Sequence, residues 1–271
     1  MQPNKNFCGE TPQFWALVKF VSGQIGYSSR SSKKADIRQL RAYQFDEVSD
    51  LAAAVNLDNR TTNRVYKYLN FRSKVLNNIV QHQLMNREEA RKHFERLNQT
   101  LKPKCYLPFN KQKGVKRHLA YFTCIVNILT ESYLGGSKFE DNPGQLVTIS
   151  DREGRLVETL SRRIDGAYPS LRNPKTIWEI KEYYGTTTFG SRVADGVYET
   201  QLDGYELKEA AKLISHPIKH YLLVDDKYTW WECGRSYLCR LVDIMHIGLV
   251  DEVIFGKEVL SRWPLIVKSW K

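Results

Sequence analysis

Three side chains in this chain have the types and spacing that metal-assisted phosphate-ester chemistry uses: Asp165, Glu179 and Lys181. Asp165 stands in Arg-Arg-Ile-Asp-Gly-Ala-Tyr (162–168). A loop containing Pro, Asn and Arg follows, then Thr-Ile-Trp-Glu-Ile-Lys-Glu-Tyr-Tyr (176–184). Both flanks are rich in Ile, Trp and Tyr and read as strands. Side chains alternate along a strand, so Glu179 and Lys181 share one face while Trp178 and Ile180 take the other. Folded as a hairpin, the loop brings Asp165 beside that charged face. Two carboxylates and one ammonium at the edge of an apolar sheet can hold a divalent cation and position a water for attack on a phosphodiester.

Charge is unevenly distributed around this group. Residues 1–120 carry 22 Lys and Arg against 9 Asp and Glu, whereas 121–271 carry 19 against 21, so the net +11 belongs wholly to the front of the chain. A basic front and a near-neutral rear suggest one part that grips a polyanion and another that does something else. A merely soluble basic protein has the same composition. The five cysteines are scattered without a Cys-x-x-Cys pair, which argues against a zinc site or a disulfide framework. With no leader-like or membrane-spanning stretch, the expectation is a cytoplasmic protein with no membrane partner. The absence of Gly-x-x-x-x-Gly-Lys-Ser/Thr argues against a nucleotide cofactor.

The front is expected to be mainly helical. Phe14–Gln24 reads as a short amphipathic helix, 26–34 as a polar basic loop, and 37–100 as mostly helix. Within it, Val48, Leu51, Ala52 and Val55 fall on one face, Leu57-Asp58-Asn59-Arg60 turns, and a second helix starts near Thr61 with Val65 and Leu69 inward. This pair resembles a helix-turn-helix, although its turn lacks the usual glycine. On that resemblance Arg60, Thr61, Thr62, Asn63, Arg64 and Lys67 line a recognition helix, with Arg and Asn suited to base edges and Thr and Lys to phosphates. A solvated charged helix in an ordinary bundle fits the same letters. Residues 101–118, with Lys102, Lys104, Lys111, Lys113, Lys116 and Arg117, read as a linker or phosphate-contacting loop.

The rear is expected to run in the order helix (118–133), strand (145–150), strand (155–160), the Glu179 strand and helix (197–214). Strands at 220–224 and 228–232, a helix at 237–247 and a strand at 252–255 complete it. This order, with Asp165 and Glu179-Ile180-Lys181 on its acid-bearing strands, resembles the core of the PD-(D/E)XK nuclease superfamily over residues 118–256. Ile164 replaces the proline of the family name. The resemblance implies an α/β (α+β) fold: a restriction-endonuclease-like core with a central mixed sheet flanked by helices, residues 118–271, behind a mainly helical DNA-recognition lobe, residues 1–117. It further implies that Asp165 and Glu179 ligate Mg2+, with Mn2+ able to substitute, and that Lys181 orients the attacking water. Glu131, late in the preceding helix, matches the place of an additional acidic residue. Gln201-Leu-Asp-Gly-Tyr205 resembles the Gln-x-x-x-Tyr motif of the exonuclease-like branch, with Gln201 and Tyr205 sharing a helix face.

The function so implied is a Mg2+-dependent, sequence-specific endonuclease of double-stranded DNA, like type II restriction enzymes and acting as a homodimer. Two alternatives stand beside it: a repair or recombination nuclease that reads DNA structure, and a non-catalytic helix-turn-helix regulator whose rear portion dimerises.

Overall fold

Strand β4 (Thr176–Glu182) is the element around which the rear of the chain is organised. The computed structural model describes residues 1–28, 39–110, 114, 117–185 and 190–271. The expected basic loop from residue 29 onward, and Lys111, Lys113 and Lys116, lie outside them.

β4 pairs antiparallel with β3 (Gly166–Tyr168) and parallel with β5 (Lys219–Asp225), which in turn pairs parallel with β6 (Glu252–Phe255). The result is a mixed four-stranded sheet in the order β3-β4-β5-β6. A separate two-stranded hairpin of β1 (Thr148–Ser150) and β2 (Leu156–Thr159) precedes it. The sheet is buried on both faces, as expected of parallel strands followed by crossover helices. Trp178, Ile180, Tyr221, Leu223 and Ile254 face α6 (Tyr121–Leu134) and α9 (Val259–Lys268), forming one core with Phe122, Ile125, Leu129, Trp263 and Val267. Leu222, Val224, Val253 and Phe255 face α7 (Ser191–Ala210) and α8 (Arg235–Ile247), packing with Val193, Val197, Leu238, Leu241 and Val242. Each fully buried side chain of this size stabilises the fold by about 1.5–3 kcal/mol. Glu182, at the end of β4, accepts from the backbone and hydroxyl of Thr123, which supplies the acceptor that Ala120 cannot provide at the start of α6.

Two expectations are corrected here. Residues 228–232 form no strand: the Asp226 carboxylate accepts from the backbone of Tyr228 and Thr229, opening a wide helical turn, Tyr228–Cys233. Both Trp230 and Trp231 are buried in that turn, so their side chains do not alternate. The helix expected at 197–214 begins earlier and ends at Ala210.

The front of the chain packs α1 (Pro12–Ile25), α2 (Phe45–Ala54) and α3 (Asn59–Val75) around Phe14, Val18, Val48, Ala52, Val65 and Leu69. Asn56, with φ 57°, takes the left-handed position of the α2–α3 turn, a conformation Asn tolerates better than most side chains. That is how the turn dispenses with glycine. Asp58 then caps α3 by accepting from Thr61 N at 2.9 Å. A five-residue π-helical stretch (Leu76–Val80) and the short α4 (Gln81–Gln83) lead to α5 (Arg87–Leu101). Where the expected boundary placed α5 with the front, Met85, Ala90 and Phe94 share the core of the sheet.

Front and rear are joined by polar contacts as well as apolar ones. Arg72 of α3 is fully buried and donates to both oxygens of Asp243 of α8 (3.0 and 2.8 Å) and to Ser22 Oγ (3.0 Å). Tyr68 OH donates to the same carboxylate at 2.6 Å. The connecting segment is held as well: Met85 N donates to Asp225 Oδ1, and Lys227 N donates to Met85 O, both at 2.8 Å. Gly256 lies so close to Gln83 that a Cβ would stand 2.1 Å from its carbonyl oxygen. Among the described residues no helix is long and apolar enough to cross a membrane.

Removing one partner of a buried ion pair strands the other's charge, at a cost of about 3–5 kcal/mol. Arg72→Ala is therefore expected to lower the unfolding free energy by that amount in urea titration. A loss below about 1 kcal/mol would show that the joint does not rest on this pair.

Candidate active site

The antiparallel register pairs Gly166 with Trp178, so one residue further the chain sets Asp165 opposite Glu179. Asp165 Oδ2 accepts from Ile180 N at 2.7 Å, which ties the residue just before β3 to the middle of β4. Alternation along β4 turns Glu179 and Lys181 toward α7, away from Trp178 and Ile180. The three motif residues are thus together on one face of the sheet.

They are not alone there. Arg162, from the loop between β2 and β3, donates through Nη1 to Asp203 Oδ2 at 2.6 Å and through Nη2 to Glu179 Oε2 at 3.0 Å. Its Nη2 also lies 3.3 Å from Glu199 Oε2. Lys181 Nζ donates to Glu179 Oε2 at 3.1 Å and to Glu199 Oε2 at 2.7 Å. Four carboxylates (Asp165, Glu179, Glu199, Asp203) therefore share two cations, leaving two negative charges in excess when all four are ionised. Glu179 and Asp203 are 1% and 0% exposed, so water does little to disperse that excess.

The electrostatic consequences follow. Burial pushes Glu179 upward, yet Lys181 and Arg162 outweigh it and hold the carboxylate below its usual range. Burial pulls Lys181 down, but Glu179 and Asp165 more than reverse this, so its ammonium is strongly retained. Asp165 and Asp203 are each pushed up to about 7, first by desolvation and then by the charge of Glu179. Part of Asp165 is open to solvent even though protein crowds its carboxyl, and water at that edge tempers the desolvation. It is the member of the three-residue motif most open to solvent.

Two buried oxygens have unused capacity. Asp203 Oδ1 has no hydrogen-bond partner among the described residues, and Glu179 Oε1 lies 2.9 Å from Arg162 Nη1 without hydrogen-bond alignment. Among the described residues no three Asp, Glu, His or Cys side chains make a ready-formed metal cage. A Mg2+ ion needs no such cage, since it keeps several waters and uses one or two carboxylates. Asp165 and Glu179 fit that donor set, and a divalent cation would match the two excess charges.

The structure places three expected residues elsewhere. Glu131 is on α6, which packs on the opposite face of the sheet, and its carboxylate accepts from Lys104 N at 2.9 Å. Gln201 is half-buried, and Tyr205 is 46% exposed. The reason is the face that α7 buries. Gly196, Thr200 and Gly204 press it against its neighbours: a Cβ on Gly204 would lie 2.5 Å from Leu249 O, and one on Gly196 2.8 Å from the Tyr183 hydroxyl. Close packing through small residues turns Glu199 and Asp203 inward and leaves Tyr198, Leu202 and Tyr205 exposed. Glu199 and Asp203 have the same four-residue spacing as Gln201 and Tyr205, offset by two positions. The small residues at 196, 200 and 204 were the signal for the correct face.

On α3, Arg60, Asn63 and Lys67 are exposed on successive turns. The other three expected DNA contacts are engaged internally. Thr61 donates its backbone N–H and hydroxyl to Asp58, Thr62 is buried and donates to Asp58 O, and Arg64 pairs with Glu10 and Asn6 O.

The raised Asp165 and Asp203 yield a sign for stability against pH. Each binds its proton more tightly folded than unfolded, so that contribution is complete below about 4 and is lost as pH rises through about 7. The melting temperature of the metal-free chain should therefore fall between pH of about 5 and about 8, with the fall reduced in Asp165→Asn plus Asp203→Asn. An unchanged slope in the double variant would show that these carboxyls titrate normally.

No curated protein and no solved structure matches this chain. Two domain families do. Residues 1–79 match a domain of unknown function (DUF7690), which spans the three front helices and most of the π-helical stretch that follows them. Residues 85–270 carry a second domain, from α5 through the sheet to the last helix, and by that match the chain belongs to the family described as domain of unknown function (DUF7687).

Proposed function

We propose that this chain is a Mg2+-dependent endonuclease of double-stranded DNA, of the PD-(D/E)XK kind and resembling type II restriction enzymes. The observation that carries the reading is the meeting of Asp165, Glu179 and Lys181 on one sheet face, with Asp165 the solvent-exposed member. A mixed sheet covered by helices on both faces is compatible with such a core. The exposed Arg60, Asn63 and Lys67 on α3 favour DNA as the polyanion. In this reading Asp165 and Glu179 hold the ion, which supplies Lewis acidity and a water of lowered pKa. Lys181, kept protonated by Glu179 and Asp165, donates to the water or to a non-bridging phosphate oxygen where charge develops. Arg60, Asn63 and Lys67 contact the duplex, with sequence read by the first two and phosphate held by the third.

The test is cleavage of a long sequenced DNA with Mg2+ or Mn2+. Discrete, reproducible ends are expected, with the rate lowered at least about 100-fold in Asp165→Ala, Glu179→Gln and Lys181→Ala while DNA binding persists. Binding with no cleavage under either metal would favour the regulator instead, and ends that follow branches or flaps rather than sequence would favour a repair nuclease.

The triple variant Arg60→Ala, Asn63→Ala, Lys67→Ala is expected to weaken DNA binding and to reduce the slope of log K against log salt by about 1–2. Unaltered affinity and slope would move the DNA contact elsewhere on the chain.

A further inference from the structure

We propose that Arg162 is an internal competitor for the divalent cation, and that Asp203 of α7, in the place expected of Glu131, belongs to the carboxylate set that the ion enters. The inference rests on the nuclease reading for the expectation of an ion. Its content concerns residues that the reading does not use.

The guanidinium is placed as a cation in that site would be. Its Nη1 stands 2.6 Å from Asp203 Oδ2 and 2.9 Å from Glu179 Oε1, bridging two carboxylates that solvent scarcely reaches. Among the described residues Asp203 Oδ1 has no partner, although the side chain is 0% exposed. A carboxylate whose other oxygen already holds Arg162 thus retains a buried, unfilled acceptor in the same cluster. Buried acceptors without partners are costly, and a bound cation would relieve that cost.

The two cations differ in their freedom to leave. Lys181 lies on the central strand with its side chain 8% exposed, and its backbone is paired with Val224 of β5. Arg162 lies in the loop between β2 and β3, and its side chain is 22% exposed. Coming from a loop and partly exposed, its guanidinium can withdraw without disturbing a strand. Exchange of the guanidinium for a divalent ion reduces the excess negative charge by one. The released guanidinium is then free for an incoming phosphate, which carries the opposite charge. Arg162 in this role is a positioning residue, and it ties metal uptake to the approach of a polyanion.

Glu131 cannot substitute for Asp203. It projects from α6 on the other side of the sheet and is occupied by the backbone of Lys104. Glu199 is a weaker candidate than Asp203, being 41% exposed and already paired with Lys181.

Mn2+ binding to the full chain, measured by calorimetry without DNA, tests this. Arg162→Gln is expected to tighten Mn2+ binding about tenfold, and Asp203→Asn to weaken it about tenfold, the scale on which groups around a ligand set move metal affinity. Arg163→Gln, at an exposed neighbour, and Glu131→Gln are expected to leave it unchanged. Should Arg162→Gln fail to fold, Arg162→Lys, which keeps the charge but loses the fork that spans two carboxylates, is expected to tighten binding by a smaller factor. Unchanged or weaker binding in the folded Arg162 variant overturns the competitor role. Weakening by Glu131→Gln but not by Asp203→Asn overturns the ligand assignment, and no Mn2+ binding in either wild type or Arg162 variants overturns both. Cleavage by the wild type with Mn2+ affinity unmoved by Arg162 would remove this inference and leave the nuclease. Tightened Mn2+ binding with no cleavage of DNA would do the reverse.

Discussion

A carboxylate in the middle of a central, doubly covered strand is the constraint around which the rear of this protein is arranged. Glu179 cannot turn to solvent, because alternation along β4 gives Trp178 and Ile180 one face and leaves Glu179 and Lys181 the other. Burying that charge demands positive partners within hydrogen-bond reach. Lys181 is one, two residues along the same strand, and Arg162 is the other, brought by the loop that leads into β3. Those two cations draw in Asp203 and Glu199, so α7 must approach closely. The small residues along its inner face allow it to do so.

The same constraint explains how far the site was legible in the sequence. Period-two alternation and a short connecting loop are local properties, and from them Asp165, Glu179 and Lys181 could be brought together by reading alone. The contribution of α7 was not local. Two overlapping pairs with four-residue spacing, Gln201 with Tyr205 and Glu199 with Asp203, differ only in the face they occupy. That face is chosen by what packs beneath the helix. Aromatic and aliphatic residues at 198, 202 and 205 resembled a core stripe but are exposed, whereas Gly196, Thr200 and Gly204 mark the buried side. Glu131 failed for a related reason: nothing in a helix that precedes the sheet says which face it will cover. The order of elements was readable except for the last helix, α9, which lies beyond the expected 252–255 strand, and at 228–232, where a run of Trp, Thr and Tyr suggested a strand. There the Asp226 carboxylate starts a helical turn, a side-chain contact that residue preferences do not encode.

The front helices were legible as a helical pair with a turn, because apolar spacing and the Asp58 cap are both visible in the letters. The missing glycine proved no obstacle, since Asn56 occupies the left-handed position instead. What could not be read was which polar residues remain free. Thr61 and Thr62 are used to begin the helix and Arg64 to hold Glu10, so the open face of α3 reduces to a narrower stripe than its composition suggests.

The buried contact between Arg72 and Asp243 has a consequence for how this architecture can vary. Each residue comes from a different matched domain, and each is the other's neutralising charge in a site closed to water. A rear domain transplanted without its front helices would carry Asp243 and the surrounding surface of α8 as an exposed, unanswered patch. Neither position can drift alone through ordinary substitution. At this contact the two domains are therefore constrained to change together.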